Sequence, residues 1–433
     1  MEVPFPPHRR FGMTDAPKSH IAVVGAGIVG ICTAAHLAEA GYDVTVYDRT
    51  GICEETSSGN AAALAFPDPL PLAHKGMLKK LPRWLMDPLG PLTIPPAYLP
   101  KLAPWLIRFM RAGDPRKFDA GLAAQAALMR LAEEEWAGLA ARAGAEGMIS
   151  HEGAIDLYEG EAEFKASLPG WAARDRFSIP YEHVSGARLT ELQPGLSPRF
   201  THGTFMPTWK TVADPKLFGK AIWAYAEGRG ARFERRTVTS ASAATAAGAS
   251  AGVEIAFAGG GTAHADRLVI CAGAWSHHHA AGFGDRIPLE TERGYNTTLP
   301  VGAFDLKRQL TFVGHGFVVS PLVTGVRVGG AVELAGLKRP PNYARARAML
   351  EKARQFLPGL KTEGGREWMG YRPSLPDSLP VIGASRRAPN VFYAFGHGHL
   401  GLTQSAATGR LVRDVISGKR PAIDLAPFSP QRF

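Results

Sequence analysis

The chain has 433 residues, of which 45% are hydrophobic, and 49 basic against 39 acidic residues give it a net charge of +10. This length accommodates roughly two to three domain-sized units. The composition excludes a collagen-like chain, a disulfide scaffold and a largely disordered protein, and no apolar run reaches the ~18 residues that a membrane-spanning helix needs.

Residues 1–19 are rich in proline and lack the apolar stretch of a signal peptide, so we expect a disordered tail. The pair Arg9–Arg10 would suit a twin-arginine export signal, but the apolar residues that follow it are better used as a strand. The three cysteines are widely separated and lack metal-ligand spacing, which is typical of free thiols in a reducing compartment. We therefore expect a cytoplasmic protein.

A dinucleotide-binding pattern follows the tail. The apolar strand "IAVV" leads into Gly25, Gly27 and Gly30. In this spacing the first glycine permits a tight turn, the second lets a pyrophosphate approach the backbone, and the third lets the helix pack closely on the strand. The helix ends at Gly41, and a second strand ends in Asp48, which can accept hydrogen bonds from both hydroxyls of an adenosine ribose. Its charge would repel a 2′-phosphate, which disfavours NADP.

Residues 67–147 are rich in helix formers and proline, and we expect an inserted helical cap with its helical part at 75–147. Segment 75–117 carries nine basic and two acidic residues, a net +7. One predicted helical side is apolar and comprises Leu99, Leu102, Leu106, Phe109 and Met110; the flanking charges are Lys101, Arg108 and Arg111; the aromatic residues typical of interfaces are Trp84, Tyr98 and Trp105. Two interpretations stay open: a cap helix with one solvated side, or peripheral contact with the inner face of the cytoplasmic membrane.

The middle of the chain alternates between two kinds of segment. Residues 153–198 contain "GAIDLYEGEAEF" and "RLTELQPGLSP", which suggest strands and turns, and 274–364 contain the strand-like runs "ERGYNTTLP", "GFVVSPL" and "VRVGGAVEL". Between them, "DPKLFGKAIWAYAEG" predicts a helix with Asp214 as its cap, Pro215 at its first position and Gly228 at its end.

The C-terminal segment predicts a strand over Val391–Phe395, a glycine-rich turn and a helix from about Thr403 to Ser417. A helix N-terminus that follows glycines offers unpaired N–H groups and a positive dipole end. These suit the pyrimidine edge of a reduced flavin, where negative charge develops. The C-terminus of an NAD dehydrogenase has no such task, so the pattern favours FAD.

Four segments strengthen this interpretation: "EETSSGNAA" (54–62), "LVICAGAWS" (268–276), "WMGYRPSLPDSLPVIG" (368–383) and "GHGHLGLTQSAATG" (396–409). Together with the N-terminal pattern they resemble the FAD-dependent D-amino-acid oxidase and dehydrogenase family, including the small subunit of bacterial D-amino-acid dehydrogenase. The resemblance covers about residues 19–418. It implies an α/β fold in which a glutathione-reductase-type, Rossmann-like FAD-binding domain is interleaved with a mainly antiparallel-sheet substrate domain.

The implied FAD-binding domain comprises 20–66, 196–273 and 365–420, and the substrate-binding or cap domain comprises 67–195 and 274–364. The residues expected to contact FAD lie on the glycine-rich turns and strand ends of these segments: Gly25, Gly27, Ile28, Val29, Gly30, Asp48, Arg49, Ser57, Ser58, Asn60, Ala61, Ala62, Val238, Ala272, Gly273, Trp275, Gly370, Arg372, Gly398, His399, Leu400, Gly401, Leu402 and Thr403.

Four side chains are candidates for the chemistry. The resemblance assigns Arg372 to the substrate carboxylate, which arginine binds in bidentate geometry; the alternative is a structural salt bridge with Asp377. The hydroxyl of Tyr295 would lie near the carboxylate or the amine, or the residue is a core tyrosine. His397 and His399 would lie near the flavin, or they hydrogen-bond the backbone.

The hypothesis is FAD-dependent oxidative deamination of a D-amino acid to the 2-oxo acid, by hydride transfer from the α-carbon to flavin N5. The D configuration rests on the resemblance alone. The alternatives are a secondary amino acid such as D-proline, hydroxy-D-proline or N-methylated glycine, a non-catalytic FAD-binding subunit, and an NAD-linked dehydrogenase. The expected partners are the amino acid and a quinone or another electron acceptor, and no nucleic acid. No metal is expected, because the consecutive His277–His279 cannot all face one ion on a helix.

Overall fold

The computed structural model describes residues 19–73, 90, 92–243 and 252–433. Their helices, in chain order, are α1 Ile28–Glu39, α2 Leu99–Ala112, α3 Pro115–Arg142, α4 Gly160–Asp175, α5 Gly186–Leu192, α6 Pro215–Gly228, α7 Ser276–Gly282, α8 Ala344–Phe356 and α9 Gly401–Ile416. Their strands are β1 His20–Val24, β2 Asp43–Asp48, β3 Ala63–Leu64, β4 Leu92–Thr93, β5 Ile149–Ser150, β6 Ala154–Glu159, β7 Glu182–Ser185, β8 Phe200–Met206, β9 Lys210–Val212, β10 Arg232–Arg235, β11 Val238–Ala243, β12 Val253–Phe257, β13 Thr262–Ala265, β14 Arg267–Ile270, β15 Glu290–Leu299, β16 Gln309–Phe312, β17 Phe317–Leu322, β18 Gly325–Leu334, β19 Arg366–Ser374, β20 Val381–Ala384 and β21 Val391–Phe395.

A mostly parallel sheet carries the dinucleotide-binding pattern. Its strand order is β10-β2-β1-β14-β21-β20, and every neighbouring pair is parallel except β20 and β21. Helices α1, α6 and α9 pack on one face in one continuous apolar core, and the β11-β12-β13 sheet packs on the other. Burial on both faces explains why β1 and β14 are almost wholly apolar.

A larger, mainly antiparallel sheet forms the second layer. Its order is β19-β15-β18-β17-β16-β6-β8-β7, and β4 pairs with β18. Side chains alternate between its faces. One face packs on α8 in a core that includes Phe312, Phe317 and Phe356, and the opposite face is turned toward the parallel sheet and carries Asp156, Glu292 and Arg372.

Several predicted elements are present. Helix α6 begins at Pro215, and the carboxylate of Asp214 accepts hydrogen bonds from the N–H groups of Lys216 and Leu217. Helix α1 ends just before Gly41, which has φ +89° and therefore a left-handed backbone that glycine adopts readily. The strands predicted around "ERGYNTTLP", "GFVVSPL" and "VRVGGAVEL" are β15, β17 and β18.

Other predicted assignments need correction. Strands β8 and β19 belong to the antiparallel sheet, although residues 196–273 and 365–420 were assigned to the FAD-binding domain. The segment predicted as strands and turns around "RLTELQPG" contains α5. Helix α3, assigned to the cap, packs against α9 in the core of the parallel sheet through residues such as Leu128 and Trp136. An amphipathic pattern reveals that a helix has a buried face but not which surface covers it.

The basic segment 75–117 lies partly outside the described residues. In the described part, α2 buries Leu102, Trp105 and Phe109 against the end of β18, whereas Leu99 and Met110, predicted on the same apolar side, are largely exposed. None of the helices in the described residues is both long and apolar enough to cross a bilayer.

Candidate active site

One cavity of about 950 Å³ lies between the two sheets. Its wall includes the glycine-rich turn after β1 and the glycine-rich turn before α9, which are more than 350 residues apart in the sequence. The antiparallel sheet supplies the facing wall. The cavity therefore joins the two turns that the sequence singled out.

The first turn fits a pyrophosphate. Gly25 has φ +109°, and a Cβ atom on it would lie 2.4 Å from the carbonyl oxygen of Cys271. A Cβ atom on Gly30 would lie 1.9 Å from the carbonyl oxygen of Gly25, so this glycine permits the close contact of helix and strand. The N–H of Ile28, the first residue of α1, donates to the hydroxyl of Ser57 at 3.0 Å, so the next N–H groups and the helix dipole are those that can face a bound anion.

The carboxylate of Asp48 stands at the end of β2 and lines the same part of the cavity. Its Oδ2 accepts a hydrogen bond of 2.9 Å from the N–H of Ala26, and its Oδ1 accepts one of 2.8 Å from the N–H of Thr50. The neighbouring Arg49 forms a bidentate ion pair with Glu55 at 2.6 Å, and its guanidinium lies 3.9 Å from the ring centre of Trp275. These contacts hold the end of β2 in place.

The second turn leads into α9, whose N-terminus also has no side-chain cap. Thr403 links it to β3 and the residue after that strand, because its hydroxyl donates to the carbonyl of Ala63 and accepts from the N–H of Ala65. The indole N–H of Trp136 donates to the carbonyls of Leu402 and Thr403. The helix N-terminus is thus fixed from two sides, and its N–H groups and dipole fit a flat ring that gains negative charge.

Most residues predicted to contact the cofactor line this cavity, namely Gly25, Gly27, Ile28, Val29, Asp48, Arg49, Ser57, Asn60, Ala61, Val238, Ala272, Gly273, Trp275, Gly370, Arg372, Gly398, His399, Leu400, Gly401, Leu402 and Thr403. Gly30, Ser58 and Ala62 do not line it and are corrections. Gly30 faces β1, Ala62 is fully buried, and the hydroxyl of Ser58 donates to the carbonyls of Glu54 and Glu55.

Arg372 projects from β19 into the cavity wall. Its Nη1 donates to the carbonyl oxygen of Ala331 at 3.3 Å, and burial lowers the pKa of the guanidinium. The salt bridge with Asp377, considered as an alternative, is not formed. Asp377 instead pairs with Arg432 at 2.7 Å. The guanidinium therefore keeps donors for a ligand.

Tyr295 is a correction. Its hydroxyl donates to Glu333 at 2.6 Å and accepts from the N–H of Asn342 at 3.1 Å, within the core between β15 and α8. Both hydrogen-bonding functions of the hydroxyl are thus used by protein groups. Tyr295 borders the cavity together with Glu292, Gly294 and Asn296, but its hydroxyl is held by Glu333, on the side of the strand where Arg293 also pairs with Glu333.

The two histidines of the second turn differ. The ring of His397 is buried, and its Nε2 shares a hydrogen bond of 3.0 Å with the hydroxyl of Thr408 in α9. Burial lowers its pKa to about 3 and favours its neutral form, and the residue also borders the cavity. His399 borders the cavity; burial and then Arg372 lower its pKa, while Asp68 and Glu292 oppose the shift.

Several residues of the cavity were not predicted. Glu292 is almost fully buried, and its Oε1 accepts a hydrogen bond of 2.6 Å from the hydroxyl of Ser374. Asp156 lines another part of the wall, and burial raises its pKa to about 7. Asp68 also lines the cavity, and its Oδ1 lies 2.6 Å from Nη2 of Arg174. The alternation of β15, which places Glu292 on the same face as Gly294, was the available signal.

Two side chains of the antiparallel sheet hold the loop after β2. Arg327 donates from Nη1 to the carbonyls of Ser58 and Asn60, at 3.0 and 2.5 Å. Asn296 donates to the carbonyl of Gly59 at 2.9 Å. These bonds join the two layers directly beside the cavity.

The cavity also has an apolar end, whose wall includes Leu334 and, on α2, Trp105 and Phe109. The indole N–H of Trp105 has no hydrogen-bond partner among the described residues. The consecutive histidines lie in α7, and no group of three or more His, Cys, Asp or Glu side chains in the described ranges could hold a metal ion.

Comparison with curated proteins gives full-length relatives. The chain is 35% identical over 425 residues to a protein named D-amino-acid oxidase from Bradyrhizobium diazoefficiens, covering 96% of this chain and 99% of that protein. It is 29% identical over 432 residues to a D-amino acid dehydrogenase from Sinorhizobium medicae, covering 95% and 99%.

Solved structures show the same fold. Glycine oxidase from Geobacillus kaustophilus matches with a TM-score of 0.71 at 21% identity, covering 96% of this chain and all of the other. L-proline dehydrogenase from P. horikoshii matches with a TM-score of 0.72 at 20% identity, covering 96% and 98%. Together with the family match described next, these neighbours confirm the predicted fold class.

The family model described as FAD dependent oxidoreductase (DAO) matches residues 20–415. This match confirms the resemblance stated from the sequence motifs and the choice of FAD over NAD. It also shows that the chain is an enzyme, which rules against the alternative of a non-catalytic FAD-binding subunit. The chain, whose two glycine-rich turns and Asp48 border one cavity, therefore belongs to the FAD-dependent oxidoreductase family.

Proposed function

We propose that this enzyme oxidises a D-amino acid to the corresponding 2-oxo acid. The observation that carries the proposal is Arg372, a guanidinium on the cavity wall whose one hydrogen bond among the described residues goes to a backbone carbonyl. Such a group binds a carboxylate in bidentate geometry. The names of the full-length relatives, D-amino-acid oxidase and D-amino acid dehydrogenase, support an amino acid of D configuration.

In the proposed reaction, the cofactor, Arg372 and the substrate nitrogen have separate roles. FAD, when bound, accepts the hydride from the substrate α-carbon. Arg372 fixes the substrate carboxylate and thereby the position of that carbon. The substrate nitrogen contributes its lone pair to the new C=N bond, so it must first lose its extra proton. The resulting imine then reacts with water to give the 2-oxo acid and ammonia.

The choice between a primary and a secondary amine stays part of the proposal. A primary D-amino acid agrees with the names of the relatives, and a secondary amine such as D-proline would use the same carboxylate anchor. The two differ at the nitrogen, and the test below separates them.

A second proposal concerns the electron acceptor, which we place at the apolar end of the cavity. Trp105 offers an indole N–H without a partner among the described residues, which suits the carbonyl oxygen of a quinone. Helix α2 exposes Leu99, Ile107 and Met110, and its basic residues are exposed as well. Apolar and basic side chains on one exposed helix favour peripheral contact with an anionic membrane surface. The corresponding localisation is the cytoplasm, at the inner face of the membrane.

Anaerobic reduction of the bound flavin tests the substrate. The purified enzyme is mixed with D-amino acids, their L enantiomers and cyclic or N-methylated amino acids, and the loss of flavin absorbance is followed. We expect rapid bleaching by at least one D-amino acid and slow or no bleaching by its enantiomer. Bleaching by secondary amines alone would replace the proposal with its alternative, and no bleaching by any amino acid would refute both.

Reoxidation of the reduced enzyme tests the acceptor. We expect a short-chain quinone to reoxidise the flavin faster than air does, and Trp105→Phe to slow the quinone reaction while bleaching by the amino acid is unchanged. Sedimentation with anionic and with neutral vesicles tests the membrane contact. Equal reoxidation rates in wild type and variant would contradict the quinone site at Trp105. Equal sedimentation with anionic and neutral vesicles would contradict the membrane contact.

A further inference from the structure

We infer that Glu292 binds the ammonium group of the substrate while Arg372 binds its carboxylate, so that the cavity wall recognises an amino acid by both of its charges. The inference rests on the proposed function, because it concerns the same substrate site. It adds a second binding residue and predicts that the enzyme distinguishes amino acids from carboxylic acids that lack the amine.

The two residues are a cross-strand pair. Glu292 on β15 stands directly opposite Arg372 on β19, and both line the cavity. Oppositely charged side chains in this position have Cβ atoms about 4.5–5.5 Å apart and commonly pair. Here they form no ion pair, because the guanidinium extends over Gly294 and donates to Ala331 instead. The wall therefore presents a carboxylate and a guanidinium side by side.

Glu292 has one protein partner among the described residues, the hydroxyl of Ser374 at 2.6 Å on Oε1. A carboxylate has about four acceptor positions, so most of its capacity is left for the cavity. Its side chain is only 7% exposed. A buried charge without a counterion is costly, and a bound cation would remove that cost.

Among the described residues, no Lys, Arg or His side chain forms an ion pair with Glu292, whose side-chain hydrogen bond comes from Ser374. His399 faces the same region, but burial and Arg372 lower its pKa and favour its neutral form. Arg174 also lines the cavity, but it pairs with Asp68. An ammonium group bound next to the carboxylate on Arg372 is the cation that completes the site.

The arrangement has a chemical consequence. A carboxylate next to the substrate nitrogen favours the ammonium form, whereas hydride loss from the α-carbon requires the neutral amine. Glu292 therefore strengthens binding and moves the onset of the reaction to higher pH. The released proton goes to water, since no group is needed to hold it.

The experiment uses the flavin-loaded enzyme and two ligands that differ by one amino group. They are the best substrate of the panel above and the carboxylic acid that lacks its amine; for D-alanine this acid is propionate. The dissociation constant of the acid is measured from the change it causes in the flavin spectrum, and that of the amino acid from the concentration dependence of anaerobic bleaching. The variants are Glu292→Gln, Glu292→Asp and, as a control on the same strand, Glu290→Gln, which faces Tyr98 outside the cavity.

We expect Glu292→Gln to weaken binding of the amino acid about 10-fold or more, the range for hydrogen bonds to charged groups, and to leave or strengthen binding of the acid. The pH midpoint of bleaching should move to lower pH. Glu292→Asp keeps the charge, so its affinity for the amino acid and its pH midpoint should lie between those of the wild type and Glu292→Gln. Equal losses for both ligands, or unchanged ligand selectivity and pH midpoint, would overturn the inference, whereas absence of bleaching in the wild type would refute the proposed function instead.

If Glu292→Gln does not retain flavin, Ser374→Ala provides the second test. It removes the hydroxyl that orients Oε1 but leaves the carboxylate in place. We expect the same change in ligand selectivity in weaker form, with an unchanged flavin spectrum in the absence of ligand. A loss that is equal for the acid and the amino acid would count against the inference here too.

Discussion

Gly294 lies directly beneath the guanidinium of Arg372. A Cβ atom on this glycine would be 2.4 Å from Nη2 and 2.5 Å from Cζ of the arginine, closer than any real contact allows. The missing side chain on β15 therefore gives the guanidinium its path toward the cavity and away from Glu292. The position of the proposed carboxylate-binding arginine therefore depends on a residue that itself has no functional group.

We expect Gly294→Ala to displace Arg372 and to lower kcat/KM about 10-fold or more, because a bidentate pair depends on geometry. The displaced arginine can then reach Glu292, which would remove both binding groups at once. Steady-state kinetics and the dissociation constant of the acid ligand check this result. Gly228→Ala is the control, since nothing lies within 4 Å of a Cβ atom there. Unchanged kinetics in Gly294→Ala would contradict this account of the arginine's position.

Replacement of Arg372 by lysine keeps the charge and removes the planar fork. We expect kcat/KM to fall about 10- to 100-fold, as hydrogen bonds to charged groups contribute about 1.5–3 kcal/mol. The flavin content should stay close to that of the wild type. Arg366→Lys provides the matched control, because Arg366 lies exposed on the same strand. An equal fall of kcat/KM in both variants would mean that the substitutions disturb β19 in general and would contradict a specific role of Arg372 in binding the carboxylate.

Arg327→Gln should weaken FAD binding. The guanidinium holds the carbonyls of Ser58 and Asn60 beside the cavity, and glutamine cannot span both. We expect the dissociation constant of FAD to rise about 10-fold or more, measured from the fluorescence of released flavin. Arg347→Gln, which breaks an exposed ion pair with Glu367, should leave it unchanged. Tight flavin binding in Arg327→Gln would show that the loop keeps its position without this contact.

The buried His397 predicts loss of stability in acid. Its pKa is lowered from 6.5 to about 3, so over this interval the unfolded chain binds a proton that the folded chain does not. The free energy of unfolding then falls as the pH decreases, by about 1.4 kcal/mol per pH unit for this group. His36 is buried, with a pKa lowered to about 3, and adds a similar dependence.

Thermal unfolding of the holoenzyme at about pH 7.5 and about pH 5 checks this dependence. His397→Gln should be less stable than the wild type at the higher pH, because the contact with Thr408 is altered, and the difference should narrow at the lower pH. The exposed His151→Gln should follow the wild type at both. A difference that does not narrow in acid would count against a neutral His397.

Asp156 predicts the opposite dependence. Burial raises its pKa from 3.8 to about 7, so between these values the folded chain holds a proton that the unfolded chain has released. Stability from this group therefore decreases as the pH rises from about 4 to about 7. Asp156→Asn should gain thermal stability relative to the wild type over that interval, whereas the exposed Asp305→Asn should not. A constant difference across the interval would contradict the raised pKa.

Local patterns predicted much of the nucleotide-binding half. Glycine spacing, the apolar strand and the terminal acid placed β1, α1 and β2, and the caps of α6 were read from Asp214 and Pro215. These features depend on contacts within about one turn or one strand pair, which the order of residues defines. Helix α3 and strands β8 and β19 were assigned to the wrong layer, because an apolar face fits more than one partner.

The candidate site likewise contains residues that sequence motifs identified and residues that only the structure revealed. Motifs led to Arg372 and to most residues of the two glycine-rich turns. They did not distinguish Tyr295, whose hydroxyl points into the core, from Glu292, which faces the cavity three residues earlier. In a strand, such a distinction depends on which face meets the cavity, and that is settled only when the sheet is assembled.

The sequence by itself determined that this chain binds a dinucleotide at its N-terminal turn, and it brought an arginine and a second glycine-rich turn into consideration. Only the tertiary structure decided that both turns border one cavity, that the ring of His397 bonds Thr408 and that Glu292 stands beside Arg372. The physical reason is range: backbone conformation and helix caps are set by neighbouring residues, whereas a cavity is made by strands distant in the chain, whose pairing selects the side chains that face it.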